Sequence, residues 1–124
     1  MKWSKEQLKN FAKANDMKIS PFYSDGKTYG TPTYIWSVVA DNNLYVRAYN
    51  GQNSSWYKAA VQQGAGKIHL AGNDYEVIFE KVNNNPEIDK DINDAYENKY
   101  NGSPYLAPML ESGPTNATIK ILPK

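Results

Sequence analysis

A chain of 124 residues has the usual length of one domain and can bury roughly two-thirds of its unfolded surface in a single core. With 14 basic against 13 acidic residues it lacks the long-range field that draws proteins to nucleic acid or anionic membranes. With no cysteine, it has no disulfide framework, thiolate metal site or thiol nucleophile.

No stretch, the N-terminal MKWSKEQLKNFAKAND included, is apolar for long enough to be a signal peptide or membrane span, so residues 1–124 read as one cytoplasmic domain. Trp3-Ser4-Lys5-Glu6-Gln7-Leu8 is a helix start, with Ser4 as N-cap, Gln7 reaching back and Trp3 stapled onto Leu8; Leu8, Phe11 and Ala12 share one face. After the turn Ser24 to Lys27, the β-branched and aromatic run Thr33 to Ala40 predicts one strand buried on at least one side. Asp41-Asn42-Asn43 turns into a second strand, Leu44 to Tyr49. Its alternation puts Leu44, Val46 and Ala48 on one face and Tyr45, Arg47 and Tyr49 on the other.

Asn50-Gly51 then turns the chain into a helix capped by Ser54 or Ser55 and carrying Trp56, Ala59, Ala60 and Val61, which ends at Gly64-Ala65-Gly66. A hairpin of Lys67 to Ala71 and Tyr75 to Val82 follows. Pro86 opens a helix with Ile88, Ile92, Ala95, Tyr96 and Tyr100 at helical spacing. Asn101 to Asn116, rich in Gly and Pro, reads as a long ordered loop, and Ala117 to Leu122 as a closing strand. At least five antiparallel strands with three helices predict an α+β fold, mainly antiparallel β: a small split β-barrel with short covering helices, an α+β sandwich being the competing arrangement.

The segment Arg47 to Lys58 gathers the features that suit an anion. A strand-borne guanidinium stands between two tyrosines; a helix N-terminus then offers free amides with the Ser54 and Ser55 hydroxyls, and Lys58 adds charge one turn later. The competing structural reading pairs Arg47 across strands with Glu76 or Glu80 and makes Ser54 or Ser55 only a cap. Tyr96, Tyr100 and Tyr105, with Lys99, precede or enter the Pro-rich loop, where they roof a pocket or pack the core. The single His69 alternates with Ile68 and Leu70 and so points away from them; one histidine builds neither a triad nor a zinc site. Glu87, Asp89, Asp91 and Asp94 lie in the first turns of a helix, where negative charge is favourable without a metal, and no metal site is expected.

The runs YGTPTYIWSVVADNNLYVRAYNGQNSSWYKAA, AYENKYNGSPYLAPM and ATIKILPK closely resemble the bacterial domain-of-unknown-function 2255 family over nearly the whole chain. That family has no established activity. A hairpin strand, Asn-Gly and a Trp-Tyr-Lys helix start are more distantly similar to the deazaflavin-dependent nitroreductases of the FMN-binding split-barrel group. This likeness implies that Arg47, Tyr49, Ser54, Ser55, Trp56 and Lys58 line a pocket for FMN or a deazaflavin, with the ring against Trp36, Trp56 or tyrosines. Ser55 departs from the pattern, since many relatives carry a basic residue there. Three functions stay open: a flavin- or deazaflavin-dependent oxidoreductase, a non-enzymatic module for a small anionic or aromatic ligand, and a homodimerising domain without cofactor.

Overall fold

The computed structural model describes residues 2–83 and 85–124. Seven strands, β1 (Lys18–Pro21), β2 (Thr33–Tyr34), β3 (Ser37–Ala40), β4 (Asn43–Arg47), β5 (Ala65–Leu70), β6 (Asn73–Lys81) and β7 (Thr118–Pro123), form one antiparallel sheet in the order β2-β1-β5-β6-β7-β4-β3. Its two edges, β2 and β3, are consecutive in sequence and separated by Ile35 and Trp36 alone. Flat strands spaced about 4.8 Å apart would put those edges about 29 Å from each other. The chain from Tyr34 to Ser37 reaches at most about 11 Å. The sheet must therefore curl until its edges approach, which gives the split-barrel-like half-barrel and leaves a seam at residues 33–37. The sequence reads Thr33 to Ala40 as one strand; in the structure its first two residues pair with β1 and its last four with β4.

The two sides of the curl bury different material. Ile19, Leu44, Val46, Ile68, Leu70, Val77, Phe79, Ile119 and Ile121 fill the concave side with Trp3, Leu8 and Phe11 from α1 (Lys5–Lys13) and Tyr57 and Ala60 from α2 (Ser55–Gln63). On the convex side, α3 (Pro86–Lys99) covers Val38, Ala40 and Tyr45 with Ile92 and Tyr96. Because β4 is covered on both sides, its alternation does not separate a wet face from a dry one, and Leu44 through Ala48 are all buried.

The helix ends follow the sequence closely. Ser4 and Gln7 close a reciprocal capping box at 3.0 and 2.9 Å, and the Trp3 indole donates to the Ile121 carbonyl at 2.8 Å. Asn85 caps α3 and Pro86 is its first residue; Gly64, with φ of 66°, ends α2 in the left-handed conformation. Ala12 is exposed rather than inward. Lys18–Pro21 is a strand without a strand signature: its alternation is broken by Ser20 and Pro21, both buried. The expected long loop contains two single-turn helices, α4 (Leu106–Met109) and α5 (Ser112–Thr115), since its prolines fix helical φ as readily as they break longer helices. No helix among the described residues is long and apolar enough to cross a membrane.

The open edge of β3 is guarded by α3. The Tyr100 hydroxyl accepts from the Ser37 amide and donates to the Ser37 carbonyl, both at 3.1 Å, while its ring stacks on Trp36 with centroids 3.9 Å apart. With both backbone groups of its first residue taken by a side chain, β3 offers another chain a shorter template than its length suggests.

Candidate functional site

The seam and the start of α2 meet. Gly51 (φ 72°) turns the chain after β4, its amide donates to the Ala48 carbonyl at 2.9 Å, and one 3-10 turn over Gly51–Asn53 delivers Ser54 to the helix start. Ser54 has the extended backbone of an N-cap, yet its hydroxyl makes no capping hydrogen bond. The Ser55, Trp56 and Tyr57 amides, orphaned by helix geometry, thus find no protein acceptor among the described residues. Two serine hydroxyls and three aligned amides at the positive end of a nine-residue helix form an anion-receptive surface.

That surface is one wall of a cavity of about 520 Å³, within the range of small-molecule sites. Thr33, Tyr34, Ile35 and Trp36 of the seam line the opposite side; Tyr49, Trp56 and Tyr105 give aromatic surface, and Met109 and Arg47 complete the lining. Tyr34, Tyr49 and Tyr105 are 56%, 46% and 60% exposed and mark the mouth. Tyr49 and Tyr105 meet edge to face, 6.2 Å between centroids.

Arg47, the only arginine in the chain, is fully buried. Its Nε donates to Thr118 Oγ1 at 3.3 Å, one terminal nitrogen to Asn93 Oδ1 at 2.5 Å and the other to the Asp89 carbonyl at 3.4 Å. The guanidinium carbon stands 5.4 Å from the centre of the Tyr96 ring. All three acceptors are neutral, and no carboxylate among the described residues lies within ion-pair distance. Burial draws its pKa below the usual guanidinium range, against the opposing pull of Tyr96 and Asp89, but an arginine stays charged. Burying such a charge unpaired costs several kcal/mol, of which an aromatic face returns only about 2 kcal/mol. Arg47 therefore ties β4 to α3 and holds, at the cavity wall, a positive charge that no ion pair neutralises and that the Asp89 carboxylate offsets only from a distance. The cross-strand alternative does not occur: Glu80 pairs with Lys120 at 3.4 Å and Glu76 accepts from the Tyr29 hydroxyl at 3.1 Å.

Of the six residues singled out from the sequence, Arg47, Tyr49, Ser54, Ser55 and Trp56 share this cavity; Lys58 is exposed farther along α2 and does not line it. Tyr105 lies at the mouth, whereas Tyr96 is core and Tyr100 guards β3. Thr33, Tyr34 and Ile35 were invisible as site residues, because only the break between β2 and β3 turns them toward the seam. Tyr45, though it alternates with Arg47 and Tyr49, packs under α3.

The other polar residues stand apart. His69 is on the convex side of β5, with Nδ1 2.8 Å from Asp74 and Nε2 3.5 Å from Asp16. Asp16 accepts the Ala71 and Gly72 amides; although burial opposes them, these bonds and His69 hold its carboxyl below the usual range. Asp94 is paired with Lys90, and no metal-type cluster of three or more side chains exists among the described residues.

The family model described as "Uncharacterized protein conserved in bacteria (DUF2255)" matches residues 7–121, and the chain belongs to that family. No curated protein and no solved structure matches it.

Proposed function

We propose that the seam cavity binds a flat aromatic ligand carrying an anionic group, of the FMN or deazaflavin type. The observation that carries this reading is the buried Arg47, without an ion-pair partner among the described residues, at the wall of the same cavity that receives the free amides of α2. A phosphate on the Ser54 and Ser55 side would satisfy the amides directly and complement Arg47 through a low-dielectric wall. The rings of Trp36, Trp56, Tyr49 and Tyr105 supply faces and edges for a conjugated ring system. Bound there, a flavin or deazaflavin would supply the hydride chemistry of an oxidoreductase, while these residues bind, orient and shield it.

The test is a fluorescence titration of the purified protein with FMN, FAD, a deazaflavin and riboflavin, which lacks the phosphate. Micromolar or tighter binding of FMN or the deazaflavin, with riboflavin at least tenfold weaker, supports the reading; no binding of any of the four removes it. The three exposed tyrosines at the mouth favour a second reading, a homodimer interface without cofactor. Light scattering showing a monomer at high concentration would remove that one.

A further inference from the structure

A second cavity, of about 460 Å³, lies on the other side of β3, between α1 and α3. Lys99 stands at it, half-buried, with no carboxylate within ion-pair distance among the described residues. Its Nζ donates to the Ser37 carbonyl at 2.6 Å and to the Phe11 carbonyl at 3.3 Å. Two carbonyl acceptors match the two N–H bonds of a neutral amine and leave its lone pair without a donor. Neither carbonyl depends on the lysine: Ser37 also accepts from the Tyr100 hydroxyl at 3.1 Å, and Phe11 from the Ala14 amide at 3.2 Å. The amine is thus a strut that its partners do not need, and it stands beside an open cavity.

We propose that Lys99 is a carbonyl-capture site, at which the amine condenses with a small neutral or cationic aldehyde entering the groove between α1, α3 and β3. The nitrogen lone pair adds to the carbonyl carbon, both amine hydrogens leave with the carbonyl oxygen as water, and a C=N bond remains. Nothing is oxidised or reduced. The ligand class follows from the lining: Asp94 is paired with Lys90, but Asp41 and Asp91, which share a hydrogen bond that raises the Asp41 pKa, have no cation within ion-pair distance among the described residues and disfavour a carboxylate or phosphate, whereas Asn98 and the aspartates accept hydrogen bonds from hydroxyl or ammonium groups.

The charged and titratable groups nearest the amine are Tyr100, just after α3, and Asp16, on the connection before β1; Asp91 and Asp94 on α3 and Asp41 at the β3–β4 turn line the rest of the groove, and α1 lines it with Ala12. Burial lowers the pKa of Lys99 to about 8, against the opposing pull of Asp16. At pH 7.5 about a quarter of such an amine is free base, against about one in a thousand for an ordinary lysine.

The experiment incubates the full chain with glyceraldehyde and cyanoborohydride at pH 7.5 and quantifies the reductively trapped product at every lysine by peptide mapping, with glyoxylate in a parallel arm. Lys99 is expected to be labelled at least tenfold faster than any other lysine, more by glyceraldehyde than by glyoxylate, with a rate that levels off above pH 8. Labelling spread over the surface lysines, or less than tenfold enriched at Lys99, overturns the proposal. Preference for glyoxylate overturns the ligand class. Since the unaltered protein is used, misfolding of a variant does not enter the outcome.

Discussion

Ser55→Glu separates helix stability from anion binding, because the two respond with opposite sign. Ser55 is exposed at the first position of α2, where a carboxylate interacts favourably with the helix dipole by about 0.3–1 kcal/mol. The fold should therefore gain slightly, and thermal unfolding should move up by a few degrees. A phosphate on the same amides would stand about 5 Å from the new carboxylate, and at an effective dielectric of about 20–40 two such charges repel by about 1.5–3 kcal/mol. With Ser55 open to water the lower figure applies, which weakens FMN binding about tenfold and leaves riboflavin unchanged. The assay is a thermal melt and a fluorescence titration on one preparation. A raised Tm with unchanged FMN affinity would refute the assignment of the anion to this helix end, and a lowered Tm the assignment of Ser55 to its first turn.

Tyr100→Phe keeps the stack on Trp36 but strips the Ser37 amide of its acceptor; a stability loss of about 1–3 kcal/mol in urea unfolding is expected, and a loss below about 0.5 kcal/mol would show that the phenol does not guard the edge. Stability should also rise between about pH 8 and pH 10: Lys99 is free base in the fold above about 8 while the unfolded chain still binds the proton, so the cost of charging it in place fades. Above that window the trend reverses, because burial pushes Tyr100 up to about 12 while unfolded tyrosines ionise near 10. Lys99→Met should flatten the rise in a pH series of urea melts. Gly66→Ala would drive a Cβ into the Ser20 carbonyl oxygen and to 2.7 Å from Pro21 Cα, forcing β1 off β5. Gly72→Ala, at φ 77° with open space around it, should cost only about 1 kcal/mol, and equal melting temperatures for the two would contradict the packing described.

Elements governed by neighbours in sequence were legible before the fold was known. The Ser4–Gln7 box, Pro86 at the start of α3 and Gly64 at the end of α2 each act within one turn. What escaped depends on distant partners. Lys18–Pro21 is a strand because β5 and β2 flank it, and nothing in its own pattern requires that. The division of Thr33 to Ala40 follows from the closure of the sheet, since β-branched and aromatic residues tolerate either edge. The site was half legible for the same reason. Its wall from Tyr49 to Trp56 is continuous in sequence and carries turn and cap chemistry. Its opposite wall exists only where the edges meet. The fate of Arg47 was beyond reach, for no local rule says that two of its hydrogen bonds go to a helix 42 and 46 residues away and the third to a strand 71 residues away.

The place of β7 in the sheet sets the order in which the molecule can assemble. Thr118–Pro123 lies between β6 and β4, so until those residues have been synthesised, the β2-β1-β5-β6 group and the β3–β4 hairpin are two half-sheets with unpaired inner edges. Only Ile35 and Trp36 join them along the seam. Closure by β7 then completes both ladders at once, and the Trp3 indole locks onto Ile121 across 118 positions of chain. A topology completed by such distant contacts folds slowly for its size and exposes two strand edges while it waits. The nascent chain is thus most vulnerable to aggregation at the β4 and β6 edges, a period that ends when the last strand arrives.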